Sequence, residues 1–472
     1  MHTATYAGSL TDLTAGSPFP PSRTGQEAFI ILYQKKLNIC NFFVIIYSVR
    51  PKVILSNKKG EIFESYDYDA LGMERKCIVS LTEKDLIPLP EGSKLFYIPQ
   101  AVPLGLNDEG LVEKIKGYFP VAAFLPPGYT RTHLPAFEKT NLTPNLPLWS
   151  YTAVAWYKDK IHASAIQVAW MRKADPHCHD DREVIKQVNK KKKFFNYNRL
   201  FKQLEICALI YNCFAAKNFF LGRWEMPLPT SPVCNSECIG CLSKQSGDCC
   251  PSQERITFVP TPEEIADISI PHLCDAEEPI LSFGQGCEGE PLLQWKVIEK
   301  AIAMIRAKTK RGIININTNG SLPQIIPLLK KSGLDSIRVS INSFDENIYN
   351  AYYRPKGYKF QDVLKTIKIS KDIGLFTSIN YLTFPGYNDS EDEMEKLFSF
   401  LKDCPVDLIQ MRNLSIDPYI YMSKVPAPMG RVLGIKKLIK MIKKEFPNIK
   451  IGYFNVPKEA LTGKGKEKCY FI

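Results

Sequence analysis

The strongest constraint on the fold is an alternation that begins at Trp224. Six short runs, EMPLPTSP, PILSFGQG, GIININTNG, SIRVSINS, FTSINYLTF and DLIQMRNL, read as strands. Between them lie the helical stretches EEIADI, QWKVIEKAIAMIRAK, SLPQIIPLLKKSG, FQDVLKTIKISKDIG and EDEMEKLFSFLKD. Strand and helix in strict succession predict an α/β fold with a parallel sheet covered by helices, open or closed into a partial barrel. In such a barrel the loops after the strand C-termini carry the chemistry.

Upstream the pattern changes. Residues 1–49 read as a partly disordered extension, with the apolar run Ile39–Val49 too short to span a bilayer. The run PKVILS, the turn NKKG and EIFESY form a hairpin, and KLFYIP is a further strand. LWSYTAVAWY and HASAIQVAW form a second hairpin around Lys158, Asp159 and Lys160. The proline-dense segment Tyr118–Pro147 reads as an ordered, extended connection. Lys190–Lys193 reads as a solvated loop, and residues 198–220 as one long buried helix carrying Cys207 and Cys213 in the core. These readings give an α+β accessory domain over 50–222, a core domain over 223–429, and an α/β extension over 430–472 built from GIKKLIKMIKKEF and IKIGYF.

Charge and cysteine usage narrow the class. The net charge of +12 is mild for 472 residues and selects no partner alone. No membrane span is expected, and the opening lacks the basic and apolar regions of a secretory signal, so a reducing cytoplasm is expected. Half of the 14 cysteines fall between Cys234 and Cys287. Cys234, Cys238 and Cys241, in CNSECIGC, follow the first predicted strand, and thiolates at this spacing can wrap zinc or an iron–sulfur cluster. A closed zinc site takes four ligands, usually in CxxC pairs, whereas CxxxCxxC supplies three and leaves a position open. The HCH triplet at His177–His179 reads as a polar loop, and Cys249, Cys250, Cys274 and Cys287 as packing or loop residues rather than ligands of a second cluster.

The later strand ends add polar groups in order. The second ends in SFGQGCEGEPLL, where Gly289 allows close backbone approach and Glu290 offers a carboxylate to an ammonium group. The third ends in NTNGS, placing Asn319 at the same end, and the fourth in RVSINS, where Ser340 and Asn342 share one side of a strand. Met411, Arg412 and Asn413 close the sixth.

This ordered set resembles the radical S-adenosylmethionine (radical SAM) enzymes, whose CxxxCxxC loop follows the first strand of a partial (β/α)6 barrel. The resemblance covers about residues 223–415 and includes YYRP at Tyr352–Pro355. It implies that Cys234, Cys238 and Cys241 hold a [4Fe-4S] cluster whose fourth iron chelates S-adenosyl-L-methionine (SAM). It assigns Gly289 and Glu290 to the SAM amino group, Asn319 to cofactor binding at the active face, Ser340 and Asn342 to the ribose hydroxyls, and Met411 to adenine or substrate. Arg338 is a candidate for the SAM carboxylate or for an inter-strand ion pair. Two departures are visible: Gly240 stands where an aromatic residue is usual, and Glu288 replaces the first glycine of a GGEP motif.

The expected function is reductive cleavage of SAM to a 5'-deoxyadenosyl radical that takes hydrogen from an unidentified small molecule, peptide or RNA. A reductant such as flavodoxin or ferredoxin would supply the electron. The alternatives are an iron–sulfur electron carrier or sensor without SAM turnover, and a zinc-stabilised binding module. Glu290, Ser340 and Asn342 separate these, because neither alternative needs a nucleoside-shaped polar shelf.

Overall fold

The computed structural model describes residues 28–30, 45–47, 50–170, 175–245, 251–461 and 471–472. The alternating region forms one parallel sheet of seven strands in sequential order. They are β1 (Arg223–Pro227), β2 (Glu277–Phe283), β3 (Ile313–Thr318), β4 (Ser336–Ile341), β5 (Phe376–Thr383), β6 (Leu408–Asn413) and β7 (Lys450–Gly452). The expected C-terminal extension is thus continuous with the barrel sheet, because β7 pairs parallel with β6.

Residue parity sorts the two faces. Ile314 and Ile316 of β3, Ile337, Val339 and Ile341 of β4, and Ile379 and Tyr381 of β5 are fully buried in the main hydrophobic core. Each such aliphatic side chain contributes roughly 1.5–3 kcal/mol relative to exposure. The alternate residues face the lumen, where burial forces polar groups to pair. Ser336 Oγ donates to Asn315 Oδ1 at 2.8 Å, and Asn315 Nδ2 to Asn317 Oδ1 at 2.9 Å. Gln410 Nε2 donates to Asn455 Oδ1 at 3.1 Å, and Asn455 Nδ2 reaches Glu225 Oε1 at 2.8 Å.

The two upstream hairpins form as expected, with Ser56 opposite Ile62 and Tyr157 opposite Lys160. The proline-dense connection is extended as expected, and it is built of short strands at Phe119–Phe124, Tyr129–Arg131, Leu134–Pro135 and Phe137–Lys139. The long helix is divided into Arg199–Leu209 and Phe214–Phe220, because Asn212 adopts a left-handed φ of 53° between them. Their side chains Leu200, Phe201, Leu204, Cys207, Phe219 and Phe220 share the core of the barrel, so packing runs across position 222. The lysine run lies not in a loop but on the helix Asp181–Phe195. There Lys191 covers the Phe219 ring and Lys192 pairs with Glu205.

The sheet-rich region sits on the C-terminal ends of β5 and β6. Arg131 N donates to Asn413 Oδ1, and Asn413 Nδ2 to Tyr129 O, both at 2.9 Å. Lys139 pairs with the buried carboxylate of Asp417. No helix among the described residues is long and apolar enough to cross a membrane. Of the expected disordered leader and the run Ile39–Val49, only the antiparallel strands Ala28–Ile30 and Ile45–Tyr47 are described.

β1 begins with an irregularity: Trp224 has a φ of 53° and the pairing with β2 shifts register there. Buried His272, on the helix Pro262–Asp275, donates from Nε2 to Trp224 O at 2.8 Å. Burial pulls this imidazole down to about 4, so it folds neutral. Below its ordinary value near 6.5 the unfolded chain binds the extra proton, and stability falls as pH drops towards 4. Urea unfolding of wild type and His272→Gln across this window should show the difference between them shrinking by at most about 1.4 kcal/mol per pH unit. A constant difference would place the imidazole proton elsewhere.

Candidate cluster and nucleoside site

The cysteine loop leaves β1 and is held from two sides. On one side, Gly289 N donates to Ser231 O at 2.7 Å and Glu290 N to Val233 O at 2.9 Å. A Cβ on Gly289 would lie 1.9 Å from Val233 O, so only glycine lets the end of β2 reach the start of the loop. Glu288 is buried and accepts four backbone N–H groups, from Thr230 and Ser231 after β1 and from Gly284 and Gln285 after β2. The residue that departs from GGEP therefore ties two strand ends together.

On the other side stands YYRP. Glu237 N donates to Tyr353 O at 3.0 Å, Ile239 N to Tyr352 O at 3.1 Å, and Lys356 N to Asn235 O at 2.8 Å. Arg354 closes the helix Glu346–Tyr353 in the left-handed region, which turns the chain back along the loop. Gly240 is explained here, because its Cβ would meet the Tyr352 hydroxyl at 2.9 Å. The space beside this position is already filled by an aromatic ring from another element.

Cys234, Cys238 and Cys241 are half-buried free thiols. Burial pushes Cys234 up to about 11 and raises Cys238 well above the ordinary thiol range, so both stay protonated until a cation supplies compensating charge. Arg255, which sequence reasoning missed, brings Nη2 to 3.6 Å from Cys241 Sγ and Nε to 3.1 Å from Ser243 Oγ. Among the described residues no Cys, His, Asp and Glu side chains are gathered as a single-ion site. Three soft thiols with no fourth ligand among the described residues fit a three-cornered iron–sulfur cluster better than closed zinc.

Glu290 is buried at the end of β2. Its carboxylate accepts from Asn319 N at 2.8 Å, from Leu292 N at 3.0 Å and from the Thr318 hydroxyl. Burial pushes this carboxyl up to about 7, against the pull of those donors. Asn319 Nδ2 donates to Asn235 Oδ1 at 2.8 Å and to Ser236 Oγ at 3.1 Å, so Glu290, Asn319 and the cysteine loop form one network. On β4, Ser340 Oγ accepts from Asn380 Nδ2 at 3.4 Å, and Asn342 Nδ2 donates to Tyr421 OH at 3.3 Å. Asn342 Oδ1 and Asn380 Oδ1 are buried without a partner, two acceptors suited to hydroxyl donors such as those of a ribose.

The remaining candidates separate. Met411 is not brought to this shelf: its side chain is fully buried in the core opposite Tyr381, while Gln410 and Arg412 take the lumen parity. Arg338 meets Gln410 Oε1 at 3.0 Å and forms no inter-strand ion pair among the described residues. Cys287 is buried beside Cys207, as packing requires, and Cys274 is exposed. Cys249 and Cys250 lie outside the described residues. The HCH triplet does not converge: His177 pairs with Glu91, while His179 stacks on Phe214 and meets Asn218 Oδ1 at 3.1 Å.

Residues 228–401 match the family model of the radical SAM superfamily. Molybdenum cofactor biosynthesis protein 1 of Bos taurus is 23% identical over 244 residues, 51% of this chain and 36% of that protein. A probable GTP 3',8-cyclase of Methanocella arvoryzae is 30% identical over 186 residues, 38% of this chain and 54% of its own. The chain thus spans about a third to a half of the length of these two curated relatives. A solved [FeFe]-hydrogenase maturase from Carboxydothermus hydrogenoformans aligns at 14% identity over 61% of this chain and 74% of its own, with a TM-score of 0.35. Over residues 228–401 the chain is thus similar to the radical SAM superfamily, a class of enzymes that uses a [4Fe-4S] cluster and SAM.

Proposed function

We propose that this chain is a radical SAM enzyme in which Cys234, Cys238 and Cys241 hold the [4Fe-4S] cluster and the ends of β2 to β5 hold SAM. When bound, these groups supply one-electron reductive cleavage of the sulfonium, releasing methionine and a 5'-deoxyadenosyl radical that takes hydrogen from a substrate. Glu290 receives the SAM ammonium group, with Gly289 bringing its backbone against the loop. Asn319 orients Glu290 through its own N–H and braces Asn235 through its side-chain amide. Ser340 and Asn342 take the ribose hydroxyls.

The observation that carries this reading is the shared network of Glu290, Asn319, Asn235 and Ser236. It couples a buried carboxylate to the cysteine loop, as a ligand bridging metal and strand ends requires and as an electron carrier does not. The sheet-rich region docked on β5 and β6 excludes water from a radical site. Its junction with the barrel is where substrate is admitted, and a flavodoxin or ferredoxin type of reductant reaches the cluster from outside. Every described cysteine is free, which fits a reducing cytoplasm.

The test is anaerobic reconstitution with iron and sulfide, followed by reductant and SAM, assaying 5'-deoxyadenosine. Wild type should produce it and Cys238→Ala should not. A stable cluster without SAM binding would instead identify a carrier, and stoichiometric zinc without iron uptake a structural module. Glu290→Gln should keep the cluster and weaken SAM binding by roughly tenfold or more, the cost of losing a charge-assisted hydrogen bond. Gly289→Ala should lower iron content itself while preserving the far-ultraviolet circular dichroism, since a Cβ at 1.9 Å from Val233 O displaces the loop. Full iron loading in Gly289→Ala would show that the β2 contact does not set the loop.

A further inference from the structure

Three arginines converge inside the barrel without a carboxylate to match them. Arg131 enters from the sheet-rich region and is fully buried. Its Nη2 donates to Leu414 O at 2.7 Å and the guanidinium lies over the Phe384 ring at 5.3 Å, while Nε and Nη1 make no hydrogen bond. Arg338, on β4, spends Nη1 on Gln410 and leaves Nε buried and unpaired. Arg412, half-buried on β6, lies over the Tyr453 ring at 5.1 Å. Tyr453 is within electrostatic reach of Arg131 and Arg338 as well, and Arg338 and Arg412 lie close enough to repel. None of the three forms an ion pair among the described residues. The acid within electrostatic reach of Arg338 is Glu225, whose Oε1 already accepts from Gln285 at 2.9 Å and Asn455 at 2.8 Å.

Burying guanidinium groups without counter-charge is costly, and an anionic ligand reaching them would offset that cost. Burial pulls Arg131 and Arg338 down to about 9, which still leaves both charged at neutral pH. Their forked donors match the paired oxygens of phosphate and carboxylate groups. The cluster also adjoins the nucleoside shelf, since Tyr421, which meets Asn342, lies within reach of Arg131. None of the charged neighbours of Arg338 is Glu290 or a cluster cysteine.

We propose that Arg131, Arg338 and Arg412, gathered around Tyr453, form a binding subsite for a substrate bearing at least two oxyanion groups. This deepens the radical SAM reading and rests on it for the word substrate; the subsite itself stands on the unpaired guanidinium atoms. Because Arg131 belongs to the sheet-rich region, that region contributes directly to substrate recognition.

The test is calorimetric titration of the iron-reconstituted full chain, with SAM saturating, using pyrophosphate and citrate as probes at constant ionic strength. At least one probe should bind. Arg412→Gln and Arg131→Gln should each weaken it by roughly tenfold, whereas Arg182→Gln, which removes an exposed surface charge, should not. Tighter binding of pyrophosphate would assign a phosphoryl-bearing substrate, and of citrate a polycarboxylate. If Arg412→Gln loses its thermal unfolding transition, Arg412→Lys, which keeps the charge but not the fork, should give an intermediate loss. The proposal is overturned if neither probe binds, if Arg182→Gln weakens binding equally, or if SAM displaces the probe mole for mole. Absence of 5'-deoxyadenosine with probe binding retained would sink the proposed activity and leave this subsite standing.

Discussion

The site depends on the joint between the ends of β1 and β2. A parallel sheet leaves the backbone groups after each strand without partners, and here one buried carboxylate, Glu288, gathers four of them. Burial pushes Glu288 up to about 7, while its four donors favour the ionised form. Gly289 then fits where no side chain can, and Glu290 leaves the joint pointing towards β3. Three consecutive residues therefore perform three tasks: binding two strand ends, permitting contact, and presenting a carboxylate.

The opposite wall of the cysteine loop is aromatic. Tyr349 and Tyr353 stack at 4.5 Å, and Tyr358 joins Tyr349 to Ser236 through hydroxyls at 3.1 and 2.7 Å. Rings of this size carry large apolar surfaces with few rotatable bonds, so they make a stiff backing for a loop with no regular structure. The loop is consequently set by hydrogen bonds from two directions and by bulk from a third. Such preorganisation is what the proposed cluster site would require of its thiols.

How far this was legible in the sequence depended on the range of the interactions. The strands and their order were legible because apolar and polar residues alternate in IININT and SIRVSI, and that period needs no tertiary information. The candidate cysteines, Glu290 and the Ser340 and Asn342 pair were likewise marked by local spacing alone. Met411 falls on the core parity of β6, one step from the lumen-facing Gln410 and Arg412, a distinction that a strand end read alone does not settle. Glu288 was noticed only as a departure, because its four donors come from segments 57 and 58 residues before it and from its own turn. The role of Tyr352 behind Gly240 and of Arg131 beside Leu414 depends on folding distant segments together, and neither has a local signature. The break at Asn212 was hidden by an apolar period that continues on both sides of it.

The seventh strand explains why the lumen is charged. By pairing with β6, Lys450–Gly452 directs the next residues, Tyr453 and Asn455, back into the barrel. Asn455 Nδ2 donates to Glu225 Oε1 while its Oδ1 accepts from Gln410 Nε2, which occupies one carboxylate oxygen and turns Gln410 Oε1 towards Arg338 as a neutral acceptor. Tyr453 offers its ring to Arg412, and a ring face attracts a cation without neutralising it. A half-closed barrel could have paired these arginines with carboxylates on β7. This one places an amide and a phenol there, so the positive field in the lumen persists at the side where the sheet-rich region adds Arg131.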